Sequence, residues 1–431
     1  MSALLLILFQ QLPAGTIAPT WHGDIREILA GHCMACHHEE GSGPFSLQTI
    51  ENVRSRATFI ETVIKQGIMP PWLPSSKATP LENHRGLSQQ EQELFSRWIK
   101  AGMPAGSPDE FRMQSPSRLQ MDPPDIELKM PAPWPIPAEG SQNWGRVTRD
   151  KRSFVLPLNN NRTLRIRSIR HRSHVPKAVH AVTFLADTTG SGRYLDDQDN
   201  GPGYYMAGDV RDTPSGDLGG VGVGARHLVL PDGYHWSIQP ESDLLMQVNF
   251  RPTGRIEFLD EEIHLWETDQ SDSRPLRTLS MMVRRVDVPA GKSVTIQDSR
   301  KLPVDVDLVG FTPRANGIVT RLDLKARLPD GEERVLLQIP EHDPHWIQTW
   351  LLENPMRLPA GTILSGSWTL ANTEENPRNP FLPLDRYVAA RRSGVLSILL
   401  HAAACDPDQD AVLLEWQRKQ AAIPMKPIDS R

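Results

Sequence analysis

Cys33-Met34-Ala35-Cys36-His37 is the stretch of this chain whose residue types and spacing best fit a defined chemistry. Two thiols three positions apart can each add across a haem vinyl group as a thioether. A histidine directly after the second thiol can then reach the iron from the proximal side. A bare C-x-x-C is equally compatible with zinc or dithiol chemistry. Zinc asks for a second ligand pair at matching spacing, and the chain's third and last cysteine is Cys405. A thioredoxin-like dithiol asks for a strand–turn–helix setting, whereas this motif follows a helical segment. The expectation is one covalent haem c, with Cys33 and Cys36 as thioether donors and His37 as proximal ligand. A structural or redox dithiol is the competing reading.

An iron held this way needs a sixth ligand or an open position. Met69, in Gly67-Ile68-Met69-Pro70-Pro71-Trp72, is the first choice. A thioether after a glycine turn, followed by two prolines, can be aimed rigidly, and Met/His ligation raises the potential and suits electron transfer. The competing fate of Met69 is core packing, the commoner role of methionine. Met103 is second choice and His84 third. His38 follows the proximal ligand and reads as a solvent-side residue, and His32 has no assigned role. The carbonyl of Gly43 or Pro44 is expected to orient the second nitrogen of His37.

Three helical segments are expected to position these groups. Asp24 is read as a cap for a segment carrying Ile25, Ile28 and Leu29 on one face and delivering the chain to Cys33. A second runs from about Ile50 to Gln66, with Val53, Ala57, Ile60 and Ile64 in register, and ends at Gly67. The third starts at a capping box, Ser88-Gln89-Gln90-Glu91. It carries Leu94, Phe95, Trp98 and Ile99 and stops at Gly102.

The remainder of the 431 residues reads differently. Beyond residue 120, short alternating apolar runs such as Leu164–Ile169, Ala178–Leu185, Leu244–Phe250, Gly317–Ala326 and Ile363–Leu370 are separated by turn signals such as Pro231-Asp232-Gly233 and Pro329-Asp330-Gly331. The 38 prolines and 30 glycines suit that pattern, which is all-β and sandwich-like. The fold class is therefore α plus all-β, multidomain. The expected division is a short or truncated signal segment at 1–19, a haem domain at 20–105 and a linker at 106–123. Sandwiches at 124–270 and 276–405 and a tail at 406–431 complete it. A net charge of −5 without a basic stripe argues against nucleic acid. No run is long and apolar enough for a membrane span. Because covalent haem attachment is carried out outside the bacterial cytoplasm, the expected location is periplasmic or otherwise exported.

Three motifs in the front part, His37 through Leu47, Met69-Pro70-Pro71-Trp72, and Leu87-Ser88 through Trp98-Ile99-Lys100-Ala101-Gly102, resemble a bacterial cytochrome c domain over residues 22–105. It is the kind joined to a rear half similar to copper type II, ascorbate-dependent monooxygenases, of which peptidylglycine α-hydroxylating monooxygenase is the best-known relative. In the rear half, Pro124–Leu128, Gln247–Gly254, Pro359–Thr362 and Asn372–Pro380 resemble that family. The resemblance implies a class I-like cytochrome c domain followed by two jelly-roll-like antiparallel sandwiches, with two coppers, one held by three histidines and the other by two histidines and a methionine. Taken position by position, the ligands are mostly replaced. The expected His-His pair is His180-Ala181, and the histidine of Gln-x-His-x-x-Pro-x-Gly is Asn249, with Arg251 two places on. Pro-His-x-His becomes Pro313-Arg314-Ala315-Asn316, and residues 397–401 hold no methionine. Arginine has no acceptor for a metal, and an asparagine oxygen is a poor substitute for imidazole.

The resulting expectation is an exported mono-haem cytochrome that moves single electrons, with haem c and no copper. It would use an unidentified redox partner, and its sandwiches would bind or dock a protein or small molecule. The alternative is an active copper/haem oxidoreductase with a relocated site built from His171, His174 and His180, with His401. His342 and His345, flanking Asp343-Pro344, read as a turn between strands. Cys405 reads as a free thiol in or near a core.

Overall fold

The computed structural model describes residues 18–82, 84–110, 122–138, 151–205, 216–315, 317–343, 346–379, 382, 384–390 and 396–421. Most of the expected signal segment, linker residues 111–121, Asn316, His345 and the outer tail from 422 lie outside these. The chain divides into two units. The first contains residues up to 39, 45–71 and 85–119; the second contains 40–44, 72–84 and 120–431.

Helices build the first unit. A helical turn, Trp21–Ile25, leads into α1, Arg26–His32. Its cap is Thr20, whose hydroxyl accepts from Gly23 N at 2.9 Å, while Asp24 accepts from Thr20 N at 2.8 Å. Asp24 is thus the reciprocal partner of the cap and not the cap itself. The single helix expected at 50–66 is two, α2 (Ile50–Arg54) and α3 (Ala57–Lys65). The break falls at Arg56, whose backbone leaves the helical region with φ −129°. α4, Gln89–Lys100, begins with the complete Ser88/Glu91 capping box. Trp21, Ile25, Leu29, Val53, Ile60, Phe95 and Trp98 form its core, so the expected apolar stripes do meet.

The second unit is two β-sandwiches. In the first, one sheet runs in the order Ile126–Lys129, Glu262–Glu267, Leu164–Arg172, Tyr234–Ile238, Arg274–Pro275, with His227–Val229 alongside Leu164–Arg172. The facing sheet runs Lys151–Pro157, Asp243–Phe250, Val179–Asp187, Asp217–Gly222. Alternation along these strands sends Phe154, Val182, Phe184, Met246 and Val248 into one shared core with Ile166, Trp236 and Ile263. The second sandwich packs Arg277–Val283, Leu396–Ala404, Val306–Ala315, Trp350–Leu358 against Lys292–Lys301, Ile363–Asn372, Val319–Arg327, Glu333–Ile339.

Residues 72–84 belong to this second sandwich, although they fall inside the span expected for the haem domain. Ser75 N and Thr79 N donate to the carbonyls of Gln338 and Val335 on one edge strand, at 2.7 and 3.0 Å. Glu82 N donates to Leu351 O on an edge strand of the other sheet at 2.8 Å. Trp72, Leu73 and Leu81 lie against the sandwich core. The segment therefore covers two strand edges that would otherwise present unpaired backbone groups.

Candidate haem attachment site

Helix α1 runs out into a tight turn that gathers the three candidate groups. Cys33 N still donates to Leu29 O, at 2.8 Å. Cys33 O then accepts from both Cys36 N (3.1 Å) and His37 N (3.0 Å). Bonds over three and four residues place Cys33, Cys36 and His37 on one side of a single turn. His37 Nδ1 donates to the Phe45 carbonyl at 3.0 Å. A carbonyl can only accept, so Nδ1 is the donor, and in the neutral ring this tautomer leaves the Nε2 lone pair for a metal. The expected carbonyl, that of Gly43 or Pro44, is thus displaced by one residue. The Phe45 ring leans on the imidazole, with centroids 4.9 Å apart.

Burial, and then the charge of Cys36, pushes the Cys33 thiol up to about 12. Reactive dithiols work by the opposite shift, toward thiolate at neutral pH. This environment disfavours dithiol exchange and suits a thiol held against an apolar surface. Cys33, Met34, Phe45, Leu87, Leu94 and Ile99 all lie partly buried against the helical core. Two thiols, an imidazole with a bare Nε2 and an apolar surround are a donor set that fits haem c.

Met69 follows α3. Gly67 takes a left-handed φ of 68°, and Ile68 N and Met69 N both donate to Val63 O, at 2.9 and 3.1 Å. The methionine-bearing loop is thereby pinned, with Met69 37 % exposed beside Ile68 at 53 %. Phe59, on α3, is 58 % exposed. Met103 instead packs against the helical core. His84 lies in the second unit, edge-on to Trp72 at 5.0 Å. His38 is half-buried. His32, unassigned from sequence, bridges the Arg85 carbonyl (3.1 Å) and Glu91 Oε1 (2.9 Å). Burial alone would raise the Glu91 carboxyl, but hydrogen bonds from Ser88 and His32 outweigh it and hold it below its ordinary range.

In the second unit, the positions singled out by the resemblance fall around the junction of the two sandwiches. His180 is the bulge residue between Val179 and Ala181, and Asn249 stands opposite Ala181. Asn249 is 5 % exposed, and among the described residues its Oδ1 has no hydrogen-bond partner. The His180 ring meets Trp346, from the second sandwich, edge-on at 6.3 Å. Arg251 is held by the Lys177 carbonyl at 3.1 Å. Arg314 forms an ion pair with Asp217 of the first sandwich. His401 is fully buried and shares a hydrogen bond with Thr312 Oγ1 at 2.7 Å, which in turn meets Thr349 Oγ1 at 2.7 Å. Thr349 closes the junction by accepting from Gly220 N at 2.8 Å. Gly219 next to it, at φ 87°, has no room for a side chain, since a Cβ would come within 2.3 Å of Thr349 Oγ1.

The histidines of the relocated-site alternative have separate settings. His171 is fully buried between Glu261 (2.5 Å) and Arg226 (3.1 Å), and burial lowers its pKa. His174 is half-exposed near Glu262. Burial, and then Arg314, pushes His401 down to about 3. Among the described residues, no three His, Cys, Asp or Glu side chains gather as a metal-holding group. His342 is buried and bonded to the Ala315 carbonyl at 3.1 Å. Cys405 Sγ donates to Asp307 at 3.3 Å, and burial followed by that bond raises its thiol to about 11. Sequence reasoning missed Phe45 O, Asp217, Thr349 and Glu261.

No protein-family model matches the chain, and no curated protein matches it. Among solved structures, similarity is found to PNGase F, a glycosylasparaginase from Flavobacterium meningosepticum, at 10 % identity and TM-score 0.31, over 65 % of this chain and 96 % of that one. The infectious bursal disease virus VP2 subviral particle is similar at 11 % identity and TM-score 0.19, over 67 % and 75 %. The major capsid protein P2 of bacteriophage PM2 is similar at 10 % and 0.24, over 65 % and 97 %. Similarity this slight carries no argument about fold or activity.

Proposed function

We propose that this chain is an exported mono-haem c-type cytochrome that transfers single electrons, with its two sandwiches acting as a copper-free binding or docking module. The observation that carries this reading is the His37 ring, held by the Phe45 carbonyl with Nε2 bare, on the same turn as Cys33 and Cys36. The resemblance of the flanking motifs to a bacterial cytochrome c domain supports it.

A haem bound there supplies one-electron exchange between ferric and ferrous iron. Cys33 and Cys36 would tether it as thioethers, so that it stays with the chain through every redox cycle. His37 would offer Nε2, and Phe45 O fixes both its tautomer and its orientation. Met69 would offer its thioether as a second protein ligand, which favours electron transfer over ligand binding. In the rear unit, the Arg314–Asp217 pair and the His401–Thr312–Thr349 chain use the junction for hydrogen bonding. That is the basis for reading it as copper-free. Among the described residues, no helix is long and apolar enough to cross a membrane.

Metal and haem content test both halves of the proposal. Protein purified from a host with haem-c maturation should carry one haem per chain that stays attached on a denaturing gel. Stoichiometric copper with hydroxylase turnover would instead establish the oxidoreductase alternative. Met69→Ala is expected to convert a low-spin spectrum to high-spin or to a new ligand; an unchanged spectrum would assign the sixth ligand elsewhere.

A further inference from the structure

We propose that Arg56 sets the reduction potential of the haem iron, acting across the Phe45 ring on the His37 side. This rests on the reading of Cys33, Cys36 and His37 as a haem site. The guanidinium carbon of Arg56 stands 4.9 Å from the centre of the Phe45 ring, and the His37 ring centre stands 4.9 Å from the same point. The charge therefore lies within about 10 Å of the imidazole, comparable to one Debye length at about 0.1 M salt.

The geometry of the loop holds it there. Arg56 occupies the break between α2 and α3, where its backbone is non-helical at φ −129°. Its Nη1 donates to Asn52 O (3.2 Å) and Ser55 Oγ (2.8 Å). Among the described residues it has no carboxylate partner, so its charge is not neutralised locally. The Phe45 ring attracts the cation through its π face. One residue therefore serves His37 twice: its backbone carbonyl fixes the ring, and its side chain seats a fixed positive charge beside it. Arginine stays protonated at every accessible pH, so the charge is permanent. Ferrous haem carries one positive charge fewer than ferric haem, so a nearby cation favours reduction and raises the midpoint.

The test is spectroelectrochemical titration of the full haem-loaded chain, with the electrode supplying and accepting the electron. Arg56→Gln should lower the ferrous-to-ferric ratio about threefold at fixed potential, a midpoint shift of about 28 mV at 59 mV per decade. The gap from the unaltered protein should narrow as salt is raised from about 0.01 M to about 1 M, because screening acts on charge and not on packing. Arg56→Lys should retain most of the midpoint. Phe45→Leu, which keeps the backbone carbonyl, should shift it in the same direction as Arg56→Gln. Arg56→Met, whose stem still covers the ring, repeats the charge test should the glutamine variant lose its haem. Equal midpoints at low salt, or a gap indifferent to salt, would overturn the proposal while leaving the cytochrome reading intact. A chain without covalent haem would overturn both.

Discussion

His37 in the helical unit and His401 in the second sandwich are both held by oxygen atoms, yet the two regions prepare their imidazoles for opposite ends. His37 spends Nδ1 on a backbone carbonyl and leaves Nε2 bare, half-buried beside two thiols. His401 spends Nε2 on Thr312, deep in the sandwich, where burial holds it neutral. His171, His227 and His342 also commit Nε2, to Glu261, Ser168 and the Ala315 carbonyl. A histidine free to ligate differs from one that completes a core in which nitrogen is already taken, more than in burial.

The largest effect should come from the site itself. Replacing Cys33 and Cys36 together with serine is expected to abolish covalent haem, seen as loss of the haem-stained band on a denaturing gel. A band of normal intensity would remove the distinction drawn between the two regions.

Next in size is the junction. Asp217→Ala removes the carboxylate paired with Arg314, whose side chain is 13 % exposed, and losing one partner of a largely buried pair costs about 3 kcal/mol. The denaturant midpoint of the rear unit should fall accordingly. Arg314→Met added to Asp217→Ala should recover part of the loss, since the guanidinium that faced Asp217 is gone. A single variant as stable as the parent would show the junction does not depend on the pair.

Acidification acts on the buried histidines in one direction. Unfolded, His401 takes up a proton below its ordinary 6.5; folded, burial delays this to about 3. Between those values the unfolded state binds more protons, so stability falls as pH drops through the window and is level above 6.5. His227 and His235, both lowered to about 4 chiefly by burial, act the same way from 6.5 down to 4. Thermal midpoints should therefore decline from about pH 7 to about pH 4.5, and His401→Gln should flatten the slope by about one proton. A slope unchanged in that variant would mean His401 is accessible to protons in the native fold. The smallest effect belongs to the capping box. Ser88→Ala should cost the helical unit about 1 kcal/mol, read as a lower melting midpoint.

What could be read from residues alone was local. The helical stripes, the Ser88–Glu91 box and the turn at Gly67 depend on neighbours a few positions apart, and each stands where periodicity and capping rules put it. The Phe45 carbonyl was missed by one residue because a backbone acceptor has no residue type, and only the path of the loop selects it. Asp24 was misassigned because Thr20, four positions earlier, offered an equally good cap. Asp217 and Thr349 were invisible because their partners, Arg314 and Gly220, come from distant strands of the other sandwich. The resemblance still marked positions 180, 249, 314 and 401 as important, and these fall around the sandwich junction, though their chemistry is ion pairing and hydrogen bonding.

Residues 72–84 limit how far the protein can be taken apart. The chain leaves the helical unit after Pro71 and returns to it at Arg85, and the intervening segment is built into the second sandwich. Cutting anywhere in 106–123 would leave a helical fragment carrying Trp72, Leu73 and Leu81 with no sandwich to bury them, and a sandwich with two strand edges uncovered. During synthesis the same segment must wait for strands made more than two hundred residues later before its backbone is paired. The helical unit cannot be transplanted as a cassette by trimming at its apparent end; a transferable version would need 72–84 replaced by a short polar loop.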